Sequence, residues 1–205
     1  MLFAGLLPAI TVTTCFLFPW LAAFVYPGSK CFQLFLVWRY GKFSKRDLST
    51  GFFSGFLAGV LMCVVPVVLI GFGMLEQLDA EQLRERLQEL GVLEHFFLFV
   101  LALSIINSAL EELYFRCFLF ERQKLYFRNW TYLYHGLIFI PHHLVALSKY
   151  FDLGWNLLFN FALFIASIIW CVLRDRGMSF LGLWVSHILC DLVVLYYAGS
   201  KLLFS

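Results

Sequence analysis

The stretch that decides the fold is Glu111-Glu112-Leu-Tyr-Phe-Arg116. It lies inside the apolar run 95–120, which is long enough to cross a bilayer, since about 20 residues suffice. An ionisable side chain at the bilayer centre costs roughly 2.5–3.5 kcal/mol even on the lenient insertion scale. A chain that keeps three such side chains so close together must pair them, neutralise them or use them.

Composition places most of the chain in lipid. Of 205 residues, 62% are hydrophobic and 14% are charged, whereas soluble domains average about 25% charged residues. We therefore predict an all-α, polytopic membrane protein with about six transmembrane helices. The predicted spans are 3–26, 51–74, 95–120, 131–149, 155–173 and 178–199.

Two segments between the spans are too short or too polar to cross. The apolar segment 31–38 is expected at the membrane interface. Asp79 is a candidate N-cap and Gly91 a stop signal, which predicts a short amphipathic helix between them. This helix either lies on the membrane surface or forms a solvated connector.

Basic residues indicate the orientation. The loops after the first, third and fifth spans carry ten Lys or Arg residues, and the opposite loops carry four. The positive-inside rule places the first set in the cytoplasm. We expect a multi-pass protein of a bacterial or archaeal cell membrane, or of the endoplasmic reticulum membrane if the source is eukaryotic. Trp170 and His135 are expected at the cytoplasmic interface.

Three predicted spans, the third, fourth and sixth, carry polar groups at one depth. At a helix rise of about 1.5 Å per residue, Glu111, His143 and His187 lie roughly 14–18 Å from the cytoplasmic ends of their spans. One shared site explains this coincidence better than independent accidents. Within it, His187 and Asp191 share a helix face, whereas His142 points away from His143 and is expected to be a bystander.

Helical spacing divides the opening motif. Glu112 and Arg116 are four residues apart and can form an ion pair, while Glu111 points about 100° away. Glu111, Glu112, Asp191 and Arg116 together carry a charge of −2 if all are ionised and the histidines are neutral. The site must therefore protonate a carboxyl group, charge a histidine or bind a cation. A glutamate with two histidines is a known zinc ligand set. Without metal, the same glutamate can hold a water as general base.

The motifs resemble those of the CPBP family, the CAAX proteases and bacteriocin-processing enzymes, also called the Abi family. That family carries EExxxR on one transmembrane helix, FxxxH on the next and HxxxN or HxxxD on a later one. This chain has Glu111-Glu112-Leu-Tyr-Phe-Arg116, Phe139-Ile-Pro-His-His143 and His187-Ile-Leu-Cys-Asp191. The chain is thus predicted to comprise N-terminal helices in 1–94 and a CPBP-like catalytic core in 95–205.

The resemblance implies an intramembrane endopeptidase of metallo- or glutamic type. Its substrate would be a membrane-anchored protein or peptide, with a CAAX-type C-terminus, a leader or a sorting tail. By the same resemblance, Glu111 and His143 activate the attacking water, and Glu112 with Arg116 forms a supporting ion pair. Two further readings remain: a non-catalytic membrane partner or immunity protein, and an ion-coupled transporter, against which the sequence shows no repeat.

The resemblance assigns oxyanion stabilisation to His187 and Asp191. Prenyl-protein proteases of the family tend to have Asn where this chain has Asp191, and an ionised carboxylate cannot donate to an oxyanion. Asp191 must therefore be protonated, orient His187 or ligate a metal. The expected cofactor is zinc or another divalent metal, unless the mechanism is metal-independent, and the candidate ligands are Glu111, His143, His187 and Asp191.

Overall fold

The computed structural model describes residues 2–41, 44–89 and 91–204, which are almost entirely helical and contain no strand. The prediction of an all-α, polytopic fold is confirmed. A bilayer offers no water to hydrogen-bond the backbone, so a helix, which satisfies its own N–H and C=O groups, is the favoured structure. Lys42, one of the ten basic residues, and residues 1 and 205 lie outside the described ranges.

The helices follow one another with short connections. In chain order they are α1 Leu2–Leu17, α2 Ala22–Tyr40, α3 Lys45–Ser49, α4 Phe52–Met62, α5 Val64–Gly71, α6 Ala80–Glu89, α7 96–127, α8 Thr131–Leu147, α9 Leu153–Asp175 and α10 180–204. Helix α7 contains two π-helical segments, Leu103–Asn107 and Glu112–Phe120.

Helices long enough to span a membrane are found where most of the spans were predicted. Among the described residues, Phe52–Gly71, Leu93–Leu147 and Leu153–Asp175 are long and apolar enough, and Ala4–Leu17 and Phe180–Tyr196 are shorter apolar helices. The stretch Leu93–Leu147 holds two predicted spans, because the chain reverses after α7. Ring contacts between α7 and α8, such as the T-shaped pair of Phe115 and Phe139 at 4.9 Å, show this antiparallel pairing.

The predicted first span, 3–26, is wrong. Helix α1 ends at Leu17 and α2 begins at Ala22. The physical reason is the proline at position 19, which has no N–H to continue the helix and disfavours helical geometry in the residue before it. The segment 31–38, expected as a separate interfacial piece, belongs to α2, a helix of 19 residues that packs against α1 and α7.

Helix α10 lies unusually close to α4. A Cβ atom built on Gly55 would stand 2.1 Å from the carbonyl oxygen of Gly182, and one on Gly59 would stand 2.9 Å from Cα of Ser186. Small residues allow two backbones to approach in this way inside a membrane, where apolar burial alone does not drive helices together. This contact holds the first turns of α10 in place.

Helix α6 is the amphipathic helix predicted between Asp79 and Gly91. Asp79 Oδ1 accepts a hydrogen bond from the Gln82 backbone N–H at 3.0 Å, and Gly91 has φ +67°, as the predicted cap and stop require. Leu87 on α6 is buried against Phe96 and Val100 of α7. The predicted helix is confirmed, and it docks on the protein.

A charge cluster joins the segments predicted to be cytoplasmic. It consists of Asp47, Glu121, Lys124, Arg174 and Asp175: Arg174 pairs with Asp47, and Lys124 Nζ lies 3.0 Å from Asp175 Oδ1 and 3.2 Å from Glu121 Oε2. Burial opposes the charge of Asp47, but hydrogen bonds from Arg174, Ser44 and the Phe180 N–H outweigh it and lower its pKa to about 2. The three loops therefore meet at one end of the molecule.

Candidate active site

Glu111 lies buried on α7, with only 5% of its surface exposed. Its Oε1 accepts a hydrogen bond from Asn107 Nδ2 at 2.8 Å and stands 3.9 Å from His142 Nε2. Its Oε2 stands 3.9 Å from His187 Nε2 on α10. One carboxylate thus faces a histidine from each of two other helices.

Glu112 is fully buried and links two other side chains. Its Oε1 lies 2.7 Å from His187 Nδ1 and 3.2 Å from Arg116 Nη1. The predicted pair of Glu112 and Arg116 is present, but Glu112 also holds His187, which helical spacing alone did not indicate. Arg116 is enclosed by aromatic rings, with its guanidinium 4.6 Å from the Phe139 centroid and 4.9 Å from that of Trp170.

His142 lies beside Glu111, contrary to the prediction from helical angles that it points away from the site. The His142 and His143 rings lie 4.0 Å apart, and His142 Nε2 faces Glu111. Both imidazoles on α8 place a ring nitrogen within 4.8 Å of a Glu111 oxygen. His143 contacts Phe139 four residues earlier at 5.0 Å, as the spacing predicted, and is partly exposed.

Asp191 stands next to His187 at the predicted spacing of four residues. Its Oδ1 lies 3.6 Å from His187 Nε2, and about a quarter of its side chain is exposed. The same ring nitrogen therefore faces Glu111 and Asp191, while the other nitrogen is held by Glu112. His187 is the group on which the three carboxylates converge.

Two side chains expected at the membrane interface lie in the core. Trp170 is 2% exposed, its ring stacks on His187 at 4.5 Å, and its Nε1–H donates to Ser186 Oγ at 2.8 Å. His135 is fully buried, with Nδ1 2.7 Å from Gln123 Oε1. Neither side chain faces lipid, because position near a helix end does not show which face of the helix a side chain occupies.

Three residues of the site were missed by sequence reasoning. Asn107 lies four residues before Glu111 on α7, a spacing that would have identified it. Lys30 Nζ and Tyr26 OH, on α2, donate to Asn107 Oδ1 at 3.0 and 3.1 Å. No motif points to these two, since α2 comes from a part of the chain where nothing resembled the family.

The site also contains donor atoms suited to a metal ion. Ligand atoms of Glu111, His142 and His143 all lie within 4.8 Å of one another. Both ring nitrogens of His142, and Nε2 of His143, are buried without a hydrogen-bond partner among the described residues. Two imidazoles and a carboxylate are a ligand set that zinc accepts. This group differs from the predicted ligands, because it contains His142 and lacks His187 and Asp191.

Fold and site define an integral membrane protein whose helices enclose paired glutamates and histidines. Residues 93–193, about half of the chain, match the family model described as type II CAAX prenyl endopeptidase Rce1-like. The prediction that the chain belongs to the CPBP family is confirmed. The family supports a CAAX-type intramembrane endopeptidase acting on a membrane-anchored protein. No curated protein and no solved structure is significantly similar to the chain.

Proposed function

We propose that the protein hydrolyses a peptide bond near the prenylated C-terminus of a membrane-anchored protein, with Glu111 as general base. The observation that carries this proposal is the position of Glu111, which is buried with histidine nitrogens at 3.9 Å on both sides. These separations are longer than a direct hydrogen bond and suit groups bridged by one water molecule. That water is the proposed nucleophile.

In this mechanism Glu111 takes a proton from the water while the water oxygen attacks the scissile carbonyl carbon. His142 and His143 flank the carboxylate on one side and orient the same water. When the C–N bond of the tetrahedral intermediate breaks, the protonated Glu111 returns the proton to the leaving amine. Asn107, which donates to Glu111 at 2.8 Å, keeps the carboxylate facing the reacting atoms.

His187 is proposed to stabilise the oxyanion. Its Nδ1–H is fixed by Glu112 at 2.7 Å, and its Nε2 points toward Glu111 and Asp191. A protonated Nε2 donates to the negative oxygen of the intermediate, which is the interaction that lowers the barrier. Asp191 then orients His187 and favours its protonated form, a role that an ionised carboxylate can perform.

A divalent metal fits this site through Glu111, His142 and His143. Both ring nitrogens of His142 and Nε2 of His143 have no hydrogen-bond partner among the described residues and are available as ligands. When bound, such a metal would supply Lewis acidity toward water and the carbonyl oxygen. Metal analysis of the purified protein, with and without a chelator, tests this. Metal lost together with activity in His142→Ala and His143→Ala supports a metallopeptidase, and full turnover by metal-free protein contradicts it.

The proposed general base is tested by Glu111→Gln in proteoliposomes supplied with a prenylated C-terminal peptide. We expect kcat to fall about 10²- to 10⁴-fold, the usual contribution of a general base. Glu94→Gln, at an exposed position outside the site, is the matched control and should keep parental activity. Full turnover by the Glu111→Gln variant would contradict the proposal and favour a non-catalytic partner.

A further inference from the structure

Helix α2 reaches the proposed general base through one asparagine. Lys30 Nζ and Tyr26 OH both donate to Asn107 Oδ1, at 3.0 and 3.1 Å, and Asn107 Nδ2 donates to Glu111 Oε1 at 2.8 Å. These four side chains connect α2 to α7. Lys30 and Tyr26 lie outside the matched segment 93–193 and outside the three motifs.

The direction of these hydrogen bonds is determined by chemistry. An ammonium group has three donors and no acceptor, so the asparagine atom that faces Lys30 must be the oxygen. The NH₂ group of Asn107 is then directed at Glu111, to which it donates. With the amide turned the other way, two oxygens would face each other at hydrogen-bond distance, and the carboxylate would be repelled.

The position and direction of the Lys30 side chain are unusual for a lysine. It is half-buried on a helix whose neighbouring residues are largely apolar, and its ammonium turns inward to Asn107. A lysine that only extends along the surface would place its charge in water. Here the hydrogen bond from Lys30 uses the amide oxygen and leaves only the NH₂ group for Glu111.

We propose that Lys30, assisted by Tyr26, is a positioning residue that fixes the Asn107 amide so that it donates to Glu111. This inference rests on the proposed function, since it requires Glu111 to act on the substrate. It makes the N-terminal helix α2 a contributor to the active site. Lys30 contacts no reacting atom, and its hydrogen bond reaches Glu111 through Asn107.

Kinetics of matched variants on the prenylated peptide test this role. Lys30→Met keeps the length of the side chain and removes the donor. Its kcat should fall about 10- to 100-fold, the usual effect of losing a group that orients an active-site residue, with KM unchanged. Lys30→Arg retains a charged donor and should recover most of kcat. Lys149→Met, the same change at an exposed lysine, is the control.

A double-mutant cycle separates positioning from a general structural effect. If Lys30 acts only through Asn107, then Lys30→Met in an Asn107→Ala background should reduce kcat no further. Two independent effects would multiply instead, and that result would overturn the inference. Tyr26→Phe, a milder change, should lower kcat severalfold and decides the matter if Lys30→Met does not fold.

The activity of the Glu111→Gln variant distinguishes failure of the positioning role of Lys30 from failure of the proposed function. If Glu111→Gln is inactive while Lys30→Met and Tyr26→Phe stay within twofold of the parent kcat, the positioning role is overturned and the proposed function stands. If Glu111→Gln remains active, the proposed function fails and the positioning role fails with it. A lowered unfolding temperature of Lys30→Met with parental kcat likewise counts against positioning.

Discussion

Replacing Glu112 by Gln removes the negative charge that balances Arg116 in the interior of the protein. Both side chains have no exposed surface, and Glu112 Oε1 lies 3.2 Å from Arg116 Nη1 and 2.7 Å from His187 Nδ1. Breaking a buried ion pair by changing one partner costs about 3–5 kcal/mol, because the other charge is left uncompensated. The aromatic rings around Arg116 keep part of its stabilisation, so we expect about 3 kcal/mol.

The loss is measured as the free energy of unfolding in mixed micelles, by titration with a denaturing detergent. A change of this size is a large fraction of the 5–15 kcal/mol that typically separates folded and unfolded states. Glu94→Gln, at an exposed position, is the control and should stay within about 0.5 kcal/mol of the parent.

A second variant decides whether the unpaired charge causes the loss. Glu112→Gln combined with Arg116→Met removes both charges, and should be more stable than Glu112→Gln alone. The reasoning is refuted if the single variant loses less than about 1 kcal/mol, or if the double variant is the less stable of the two.

Three further predictions concern other parts of the structure. Asp47 has a folded pKa of about 2 against 3.8 in its ordinary state, so it stabilises the fold above pH 4; the difference in unfolding temperature between the parent and Asp47→Asn should shrink as pH falls from 4 toward 2. Gly55→Ala should lower the free energy of unfolding by about 3 kcal/mol, because its Cβ would meet a facing carbonyl oxygen. Gly71→Ala, whose Cβ would stand in open space, should keep the parental stability, and equal unfolding curves for the two variants would refute this reasoning. Trp170→Phe keeps an aromatic ring beside His187, but the ring is smaller and loses the hydrogen bond to Ser186, so kcat should fall about tenfold, and an unchanged kcat would show that the indole and its hydrogen bond do not support the site.

Much of the fold was predictable from the sequence because the bilayer leaves few alternatives. Apolar runs of sufficient length become helices, and the caps at Asp79 and Gly91 set the bounds of the amphipathic helix. The break between α1 and α2 was missed because mean apolarity continues through it, while one proline ends the helix. The close contact at Gly55 depends on which faces of two distant helices meet, and no local pattern contains that information.

The candidate site was predictable as a set of residues more than as an arrangement. Depth and spacing bring Glu111, His143 and His187 to one level, and the structure places them together. Helical angles failed for His142, because they describe one helix and not the helix that packs against it. Glu112 opens a π-helical segment of α7, which no pattern in the sequence indicated. Irregular turns of this kind are frequent at functional sites.

The contact between α4 and α10 ties the segment matched by the family model to a helix that lies outside it. The segment 93–193 is the part by which the family is recognised, yet the backbone of Gly182 lies against Gly55, outside that segment. Without α4, this tightly fitted backbone surface would face lipid, which offers van der Waals contact of poorer fit. A fragment limited to residues 93–193 would lose this packing partner, so we expect it to unfold more easily than the whole chain.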